Sequence, residues 1–366
     1  MKINLMGDVM FAELLENYRR GLRTVIAKEG IDPFEYVRPV LEEAEVNLIN
    51  LECVLSDSSV LRRPFSDILI SPERNVRLLE KNGINLVNTA NNHALDHGRQ
   101  AFERSIRLLR ESGIEVIGYD ERSFFQEEAA VIESDGRRTG FLGYNISNFS
   151  ESGRRKTLDR IRGVISEASV EVDLLVLSMH WGEEYTNIPP PYVVRYGREL
   201  LEAGADVIHG HHSHQVQGAI ESEGRVFAPS LGNFVFDQKV PENRITAIMR
   251  IETEQDGKAR FGWLPCYMNE TYQPQPAPAL KGYFDDLDRY LRDSFAEGST
   301  EIYAETVEDN VRKGHRANRI RMRLGMIAHF WHYLPYIGRL LALRRRRDGI
   351  YSVIRDEESL EGPHKE

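Results

Sequence analysis

Eight short runs rich in Val, Ile and Leu punctuate the first 230 residues, and longer amphipathic stretches separate them. The runs are KINLM (2–6), EVNLIN (45–50), INLVN (84–88), IEVIG (114–118), TGFLGY (139–144), DLLVLSM (173–179), DVIH (206–209) and RVFAPS (225–230). None alternates strictly between apolar and polar, so each suits a strand buried on both faces. Between them the pattern predicts helices near 34–44, 72–82, 98–112, 158–169 and 192–203. Repeated strand–helix–strand units require right-handed crossovers and a largely parallel sheet, so the fold class is α/β. After Ser230 the pattern changes. ITAIMRIET (245–253), a QDGK turn (255–258) and ARFGWLP (259–265) read as an antiparallel hairpin. QPQPAPA (273–279) reads as a boundary. This divides the chain into an α/β domain, residues 1–272, and a Pro-rich linker with a helical extension, residues 273–366.

Charge separates the same two parts. The formal charge is −10, yet residues 311–347 hold eleven Lys or Arg and no acid. The rest of the chain, with 36 basic and 57 acidic residues, stands near −21. An acidic body argues against nucleic acid as a partner. In the extension, MIAHFWHYLPYIGRLLAL (326–343) is apolar and runs into Arg344–Arg347. It reads either as a helix packed on the core or a second subunit, or as a helix in a membrane interface, through residues 320–347. Pro335 kinks or splits it in both cases. Two cysteines, Cys53 and Cys266, exclude a disulfide framework and suit a reducing cytoplasm. The opening MKINLMGDVMF has no basic-then-apolar leader, so the expected location is cytoplasmic, with membrane association only through the extension.

The residues just past each run bear on chemistry. KINLM leads to Gly7-Asp8, VNLIN to Leu51-Glu52, and NLVN to Asn91-Asn92-His93. LLVLSM leads to His180, and DVIH to Gly210-His211-His212-Ser213-His214. Ligands of open α/β sheets bind beyond the carboxyl ends of the strands. Those ends here carry Asp, Glu, Asn and His, the residue types that hold hard or borderline metal ions. Any one of these residues alone reads as a cap, a turn former or a core histidine. Jointly they mark a metal site: His212 and His214 put two imidazoles on one tight loop, with His211 in place of His212 if the loop register shifts by one, and four other ligand-type positions end separate strands.

GDVM (7–10), NLE (50–52), NTANNHALDHG (88–98), HWGEEY (180–185), GHHSHQVQG (210–218) and SLGNFVFDQ (230–238) occur in that order. Together they resemble the CapA family of capsule and poly-γ-glutamate synthesis proteins, within the calcineurin-like metallophosphoesterase superfamily. The resemblance covers roughly residues 1–270. It implies a four-layer α/β/β/α sandwich with divalent ions, two of the Mn, Fe or Zn class, at the strand ends. By the same resemblance, Asp8 belongs to one metal, Glu52 is the bridging carboxylate, and Asn92 belongs to the second metal. His180 is the lone histidine ligand, and His212 and His214 serve one metal each. His93 becomes the histidine that assists the leaving group. Asp96 either orients that imidazole or caps the next helix. Two departures stand out: Met10 occupies the histidine position of the usual D-x-H motif, and the bridge is Glu rather than Asp.

The expected activity is a metal-dependent hydrolase, foremost a phosphoesterase, in capsule or envelope polymer biosynthesis. Its substrate is then a small molecule or polymer with a phosphoester or γ-glutamyl linkage. A hydrolase of amide or γ-glutamyl bonds is the second reading. A non-catalytic polymer-binding component with a structural metal is the third. Of the neighbouring residues, Asn91, His209, His211 and Glu184 are expected to support the ligands. Tyr185 is a candidate wall for the substrate. Asn145 and Asn148 are candidates to reach the cleft. Trp181 and Cys53 read as core.

Overall fold

The computed structural model describes residues 1–17, 19–57, 69–121, 124–253, 259–297, 301–328 and 331. The strands in chain order are β1 (Lys2–Val9), β2 (Val46–Leu51), β3 (Val54–Leu55), β4 (Ile70–Ser71), β5 (Leu86–Asn88), β6 (Glu115–Ile117), β7 (Ala130–Ser134) and β8 (Arg137–Asn145). They continue with β9 (Leu174–His180), β10 (Val207–His211), β11 (Ile220–Ser222), β12 (Arg225–Ala228), β13 (Asn233–Val235), β14 (Ile245–Thr253), β15 (Ala259–Met268) and β16 (Pro274–Pro276). The helices are α1 (Leu22–Glu29), α2 (Arg38–Leu41), α3 (Val76–Lys81), α4 (Arg99–Glu111), α5 (Glu151–Ala168), α6 (Pro191–Glu202), α7 (Lys281–Glu297) and α8 (Glu301–Ala328).

All eight apolar runs form strands, and they sort into two sheets. One has the order β16-β15-β14-β1-β2-β5-β6, with β13 also paired to β1. The other runs β11-β12-β10-β9-β8-β7. Within each, the strands that alternate with helices pair in parallel: β1, β2, β5 and β6 in the first, β8, β9 and β10 in the second, where β12 also pairs in parallel with β10. The sheets pack face to face through Ile3, Leu5, Leu48 and Leu86 on one side and Phe141, Val176, Val207 and Val226 on the other. Leu41, Leu79, Phe102 and Ile106, from α2, α3 and α4, cover the outer face of the first sheet. Leu158 and Ile161 of α5 and Val193 and Leu200 of α6 cover the second. The result is the expected four-layer α/β/β/α sandwich. Burial on both faces explains why the strand runs lack alternation.

The proline-rich stretch departs from its expected role as a linker. Pro274–Pro276 is the edge strand of the first sheet, paired with Cys266–Met268 of β15. The sheet therefore extends past residue 272. Proline is tolerated at an edge because its missing N–H faces no partner, and it blunts that edge against further pairing. Helix α7 continues the contact, with Phe284 buried against Trp263 (ring centroids 5.0 Å apart). The 245–253/259–265 hairpin forms as expected in β14 and β15, while the QDGK turn lies outside the described residues. So does most of the 326–343 segment. On the described part of α8, Ile320, Leu324 and Ile327 are exposed, as is Trp331 beyond it. Among the described residues no helix is long and apolar enough to cross a membrane.

Candidate metal centre

Parallel strands end on one side of the sandwich, and the polar residues gather there. Gly7 makes this possible at β1: a Cβ on it would lie 1.9 Å from the Gly232 carbonyl oxygen. Without one, β1 and the chain entering β13 close up, and the Asp8 N–H donates to that same oxygen at 2.9 Å. The Asp8 carboxylate is thereby fixed with no exposure to solvent. Its Oδ1 accepts from Asn50 Nδ2 at 2.8 Å and lies 3.0 Å from His211 Nδ1. Its Oδ2 accepts the His212 backbone N–H at 3.3 Å and lies 3.7 Å from His214 Nδ1.

Glu52, just past β2, is fully buried, and neither of its carboxylate oxygens has a hydrogen-bond partner. A buried carboxylate left in this state is costly unless a cation compensates it. Burial, and next the Asp8 charge, push its pKa well above the ordinary value. Donor atoms of Asp8, Glu52 and His214 all lie within 4.8 Å of one another. Carboxylate oxygens with an imidazole nitrogen are a fitting set for a divalent Mn, Fe or Zn ion. The residues therefore fit the metal that the strand-end pattern implies.

The remaining residues of the set, Asn92, His180 and His212, contact one another through His180. His180 ends β9; its Nε2 bonds Asn92 Oδ1 at 2.8 Å, and its ring lies 4.7 Å from that of His212. Burial lowers the pKa of His180 well below its usual value, and that of His212 to about 4. Both rings are therefore held neutral, as metal ligation requires. The His212 Nδ1 is buried without a partner. His214 Nδ1 bonds Asn233 Oδ1 at 2.8 Å. His212 (φ 93°) and His214 (φ 59°) both adopt left-handed backbone. That conformation is uncommon for non-glycine residues and concentrates at functional sites. It aims two imidazoles inward from one tight loop.

The structure also sorts the neighbours. His211 lies behind Asp8 with Nε2 3.1 Å from Ser178 Oγ, while His212 sits with His180. His209 Nε2 bonds the Met6 carbonyl at 2.8 Å and braces β1. His93 Nδ1 lies 2.7 Å from Asp96 Oδ2, and its Nε2 lies 3.7 Å from Glu52 Oε1 and 3.1 Å from Asn92 Nδ2. Asp96 does not cap the next helix: α4 has Gly98 at its N-cap, with no side-chain bond there. Met10 is buried in the outer core, and its Sδ accepts the Ala12 N–H at 3.2 Å, so the D-x-H position is turned away from the site. Trp181 and Cys53 are core residues, the latter in the outer cluster. Asn145 is used in its own turn, accepting from Ser147, and Asn148 is exposed.

Sequence reasoning missed Asn50. Its amide donates to Asp8 and lies 3.3 Å from His180 Nδ1, joining the two halves of the site. It sits two residues before Glu52 on the same strand face, and that spacing was the available signal. It also missed Asp237, near the end of SLGNFVFDQ. The two oxygens of this buried carboxylate accept the Leu14 and Leu22 backbone N–H groups, both at 2.8 Å, and so pin the loop after β1.

Burial raises the Asp237 pKa from 3.8 to about 7. Between those values the native state keeps a proton that the unfolded chain has released, so stability falls as pH rises from about 4 to 7. Asp237→Asn removes that slope and leaves one N–H without an acceptor. The variant should lose on the order of 1–3 kcal/mol at pH 5. The gap to the parent should narrow at pH 7.5. Urea unfolding at the two pH values measures this, and an equal gap at both would refute the assignment.

The family model described as Bacterial capsule synthesis protein PGA_cap matches residues 2–238. The PGA biosynthesis protein CapA of Bacillus subtilis (strain 168) is 27% identical over 292 residues, covering 77% of this chain and 74% of that protein. The capsule biosynthesis protein CapA of Bacillus anthracis is 27% identical over 293 residues, covering 75% and 69%. Among solved structures, a hypothetical protein from Thermus thermophilus aligns with a TM-score of 0.44 at 16% identity, over 72% of this chain and 98% of that one.

Proposed function

The chain belongs to the bacterial capsule synthesis protein family PGA_cap, and from that premise we propose that it is a metal-dependent hydrolase of phosphoesters in capsule or envelope polymer metabolism. The observation that carries the reading is Glu52: a fully buried carboxylate with no hydrogen-bond partner, grouped with donor atoms of Asp8 and His214 and with His93 Nε2 3.7 Å away. We assign Asp8, Glu52 and His214 to one divalent ion, and Glu52, Asn92, His180 and His212 to a second. Bound there, such ions supply the Lewis acidity that makes water nucleophilic near neutral pH.

The other roles belong to the protein itself. Asp96 accepts from His93 Nδ1, which fixes the tautomer and turns Nε2 toward Glu52. In the imidazolium form His93 also carries a proton on Nε2, and that proton goes to the leaving oxygen, leaving the neutral ring with its remaining N–H on Asp96. Asn50 holds Asp8 and His180 in register with each other. This acid beside the ligands favours hydrolysis over a purely structural metal clamp, which has no use for it.

The test is a pair of assays on the Mn²⁺-loaded full chain. A chromogenic phosphodiester should be hydrolysed and a γ-glutamyl anilide left intact, with turnover lost on chelation. Cleavage of the anilide instead would replace the phosphoester by an amide. Bound metal with neither activity would replace the hydrolase by a polymer-binding protein.

A further inference from the structure

Helix α8 lies outside the six ordered motifs, yet it packs beside them. It rests on the turn Leu15–Asn17, just after β1, and on α6. It thus spans the rim between the two sheets at the end where the metal residues gather. The contact with Tyr185 is tight: a Cβ on Gly314 would lie 2.3 Å from Tyr185 Cβ. Asn318 Nδ2 donates to Tyr185 Oη at 2.9 Å, and the His315 ring meets the Tyr185 ring edge-on at 5.1 Å. Tyr185 itself has left-handed backbone (φ 63°), and its N–H is held by the Ser213 carbonyl at 2.8 Å. Its ring lies 6.0 Å from that of His214. One aromatic side chain therefore separates α8 from a proposed metal ligand.

Beside Tyr185 is a cavity of about 330 Å³. Lys313, Asn318 and Arg321 line it from α8, and Gln215, the residue after His214, lines it from the site. Glu242 is the acid among the lining residues, and Lys313 also pairs with Asp309 on its own helix. The lining is thus rich in N–H donors. A guanidinium and an ammonium set among amides match the oxygens of a carboxylate or phosphate.

We infer that this cavity is an anion subsite, in which Lys313 and Arg321 hold a carboxylate or phosphate group of the substrate while the bond to be cleaved lies at the metal residues. The C-terminal helix is then part of the substrate site rather than an appendage. The inference rests on the proposed hydrolase only in identifying the bound anion as substrate.

The test uses the full chain with two probes, inorganic phosphate and glutarate, titrated by calorimetry. Working in the Glu52→Gln protein removes the metal-dependent contribution. At least one probe should bind there, and which one binds tells a phosphate subsite from a carboxylate subsite. Adding Lys313→Gln and Arg321→Gln together should weaken that binding about tenfold or more. In the protein with an intact metal site, the same pair should raise KM for an anionic substrate more than it lowers kcat. Anion binding that falls with the pair, in a parent without turnover, keeps the subsite and sinks the hydrolase. Turnover whose KM ignores the pair, or anion binding that ignores it, overturns the subsite.

Discussion

Glu52→Gln should strip the protein of metal and cut phosphodiester turnover about 10³-fold or more, a loss on the order of 4 kcal/mol of transition-state stabilisation. The change is nearly isosteric, so packing is not at issue. It removes the one charge that both proposed ions share, at a position buried without a partner. A second effect should run the opposite way. In metal-free protein, the substitution replaces a buried carboxyl group that makes no hydrogen bond, and whose ionisation burial opposes, with a neutral amide. The variant should then unfold at higher urea than the parent, by on the order of 1–3 kcal/mol. Adding Mn²⁺ should reverse the ranking, because only the parent gains from binding. Metal analysis by plasma mass spectrometry and urea unfolding with and without Mn²⁺ measure both effects. A variant that retains the parent's metal content would remove Glu52 from the ligand set.

His93→Ala should behave differently. Its Nε2 faces Glu52 and Asn92, but we do not place it among the ligands. The variant should keep its metal and lose about 10²–10⁴ in turnover, the usual contribution of a positioned general acid. The loss should be smallest for substrates with the most acidic leaving groups, which need no proton. Asp96→Asn should fall between the variant and the parent, since an amide cannot hold the Nδ1 proton in the same way. A series of nitrophenyl and alkyl leaving groups, with metal content measured beside each rate, checks the pair. An equal loss across the series would deny His93 the proton transfer, and a loss of metal would make it a ligand.

The strand ends were legible because two independent signals met there. Apolar runs without alternation mark parallel strands buried on both faces, and the residues after them are metal-binding types. The positions of Asp8, Glu52, His180 and the His212-Ser213-His214 loop follow from that coincidence. Asn50 was harder to read: its spacing to Glu52 was a signal, but it lies inside an apolar run, where an asparagine reads as a strand interruption. The role of Asp237 depends on Leu14 and Leu22, more than 200 residues away, and no local pattern carries such a partner. Pro274–Pro276 misled because proline marks linkers and sheet edges alike, and only the neighbouring strand tells them apart. Helix α8 fell within the helical extension read from the sequence, but the sequence did not show its address. What places it is the absence of a side chain at Gly314, where Tyr185 closes in.

The two sheets contribute different chemistry to the centre. Asp8, Glu52 and Asn92 lie at or beyond the ends of β1, β2 and β5 of the first sheet, while His180, His212 and His214 lie at or beyond the ends of β9 and β10 of the second. An ion held by both sets is a cross-link between two halves whose strands, among the described residues, do not pair with each other. The assigned ligand set is complete only when the two halves are docked, so metal binding should be coupled to that docking. Metal affinity then reports on the interface between the sheets as much as on the ligands. A truncation such as Phe141→Ala, deep between the sheets, would loosen the ion's grip without touching a single donor atom.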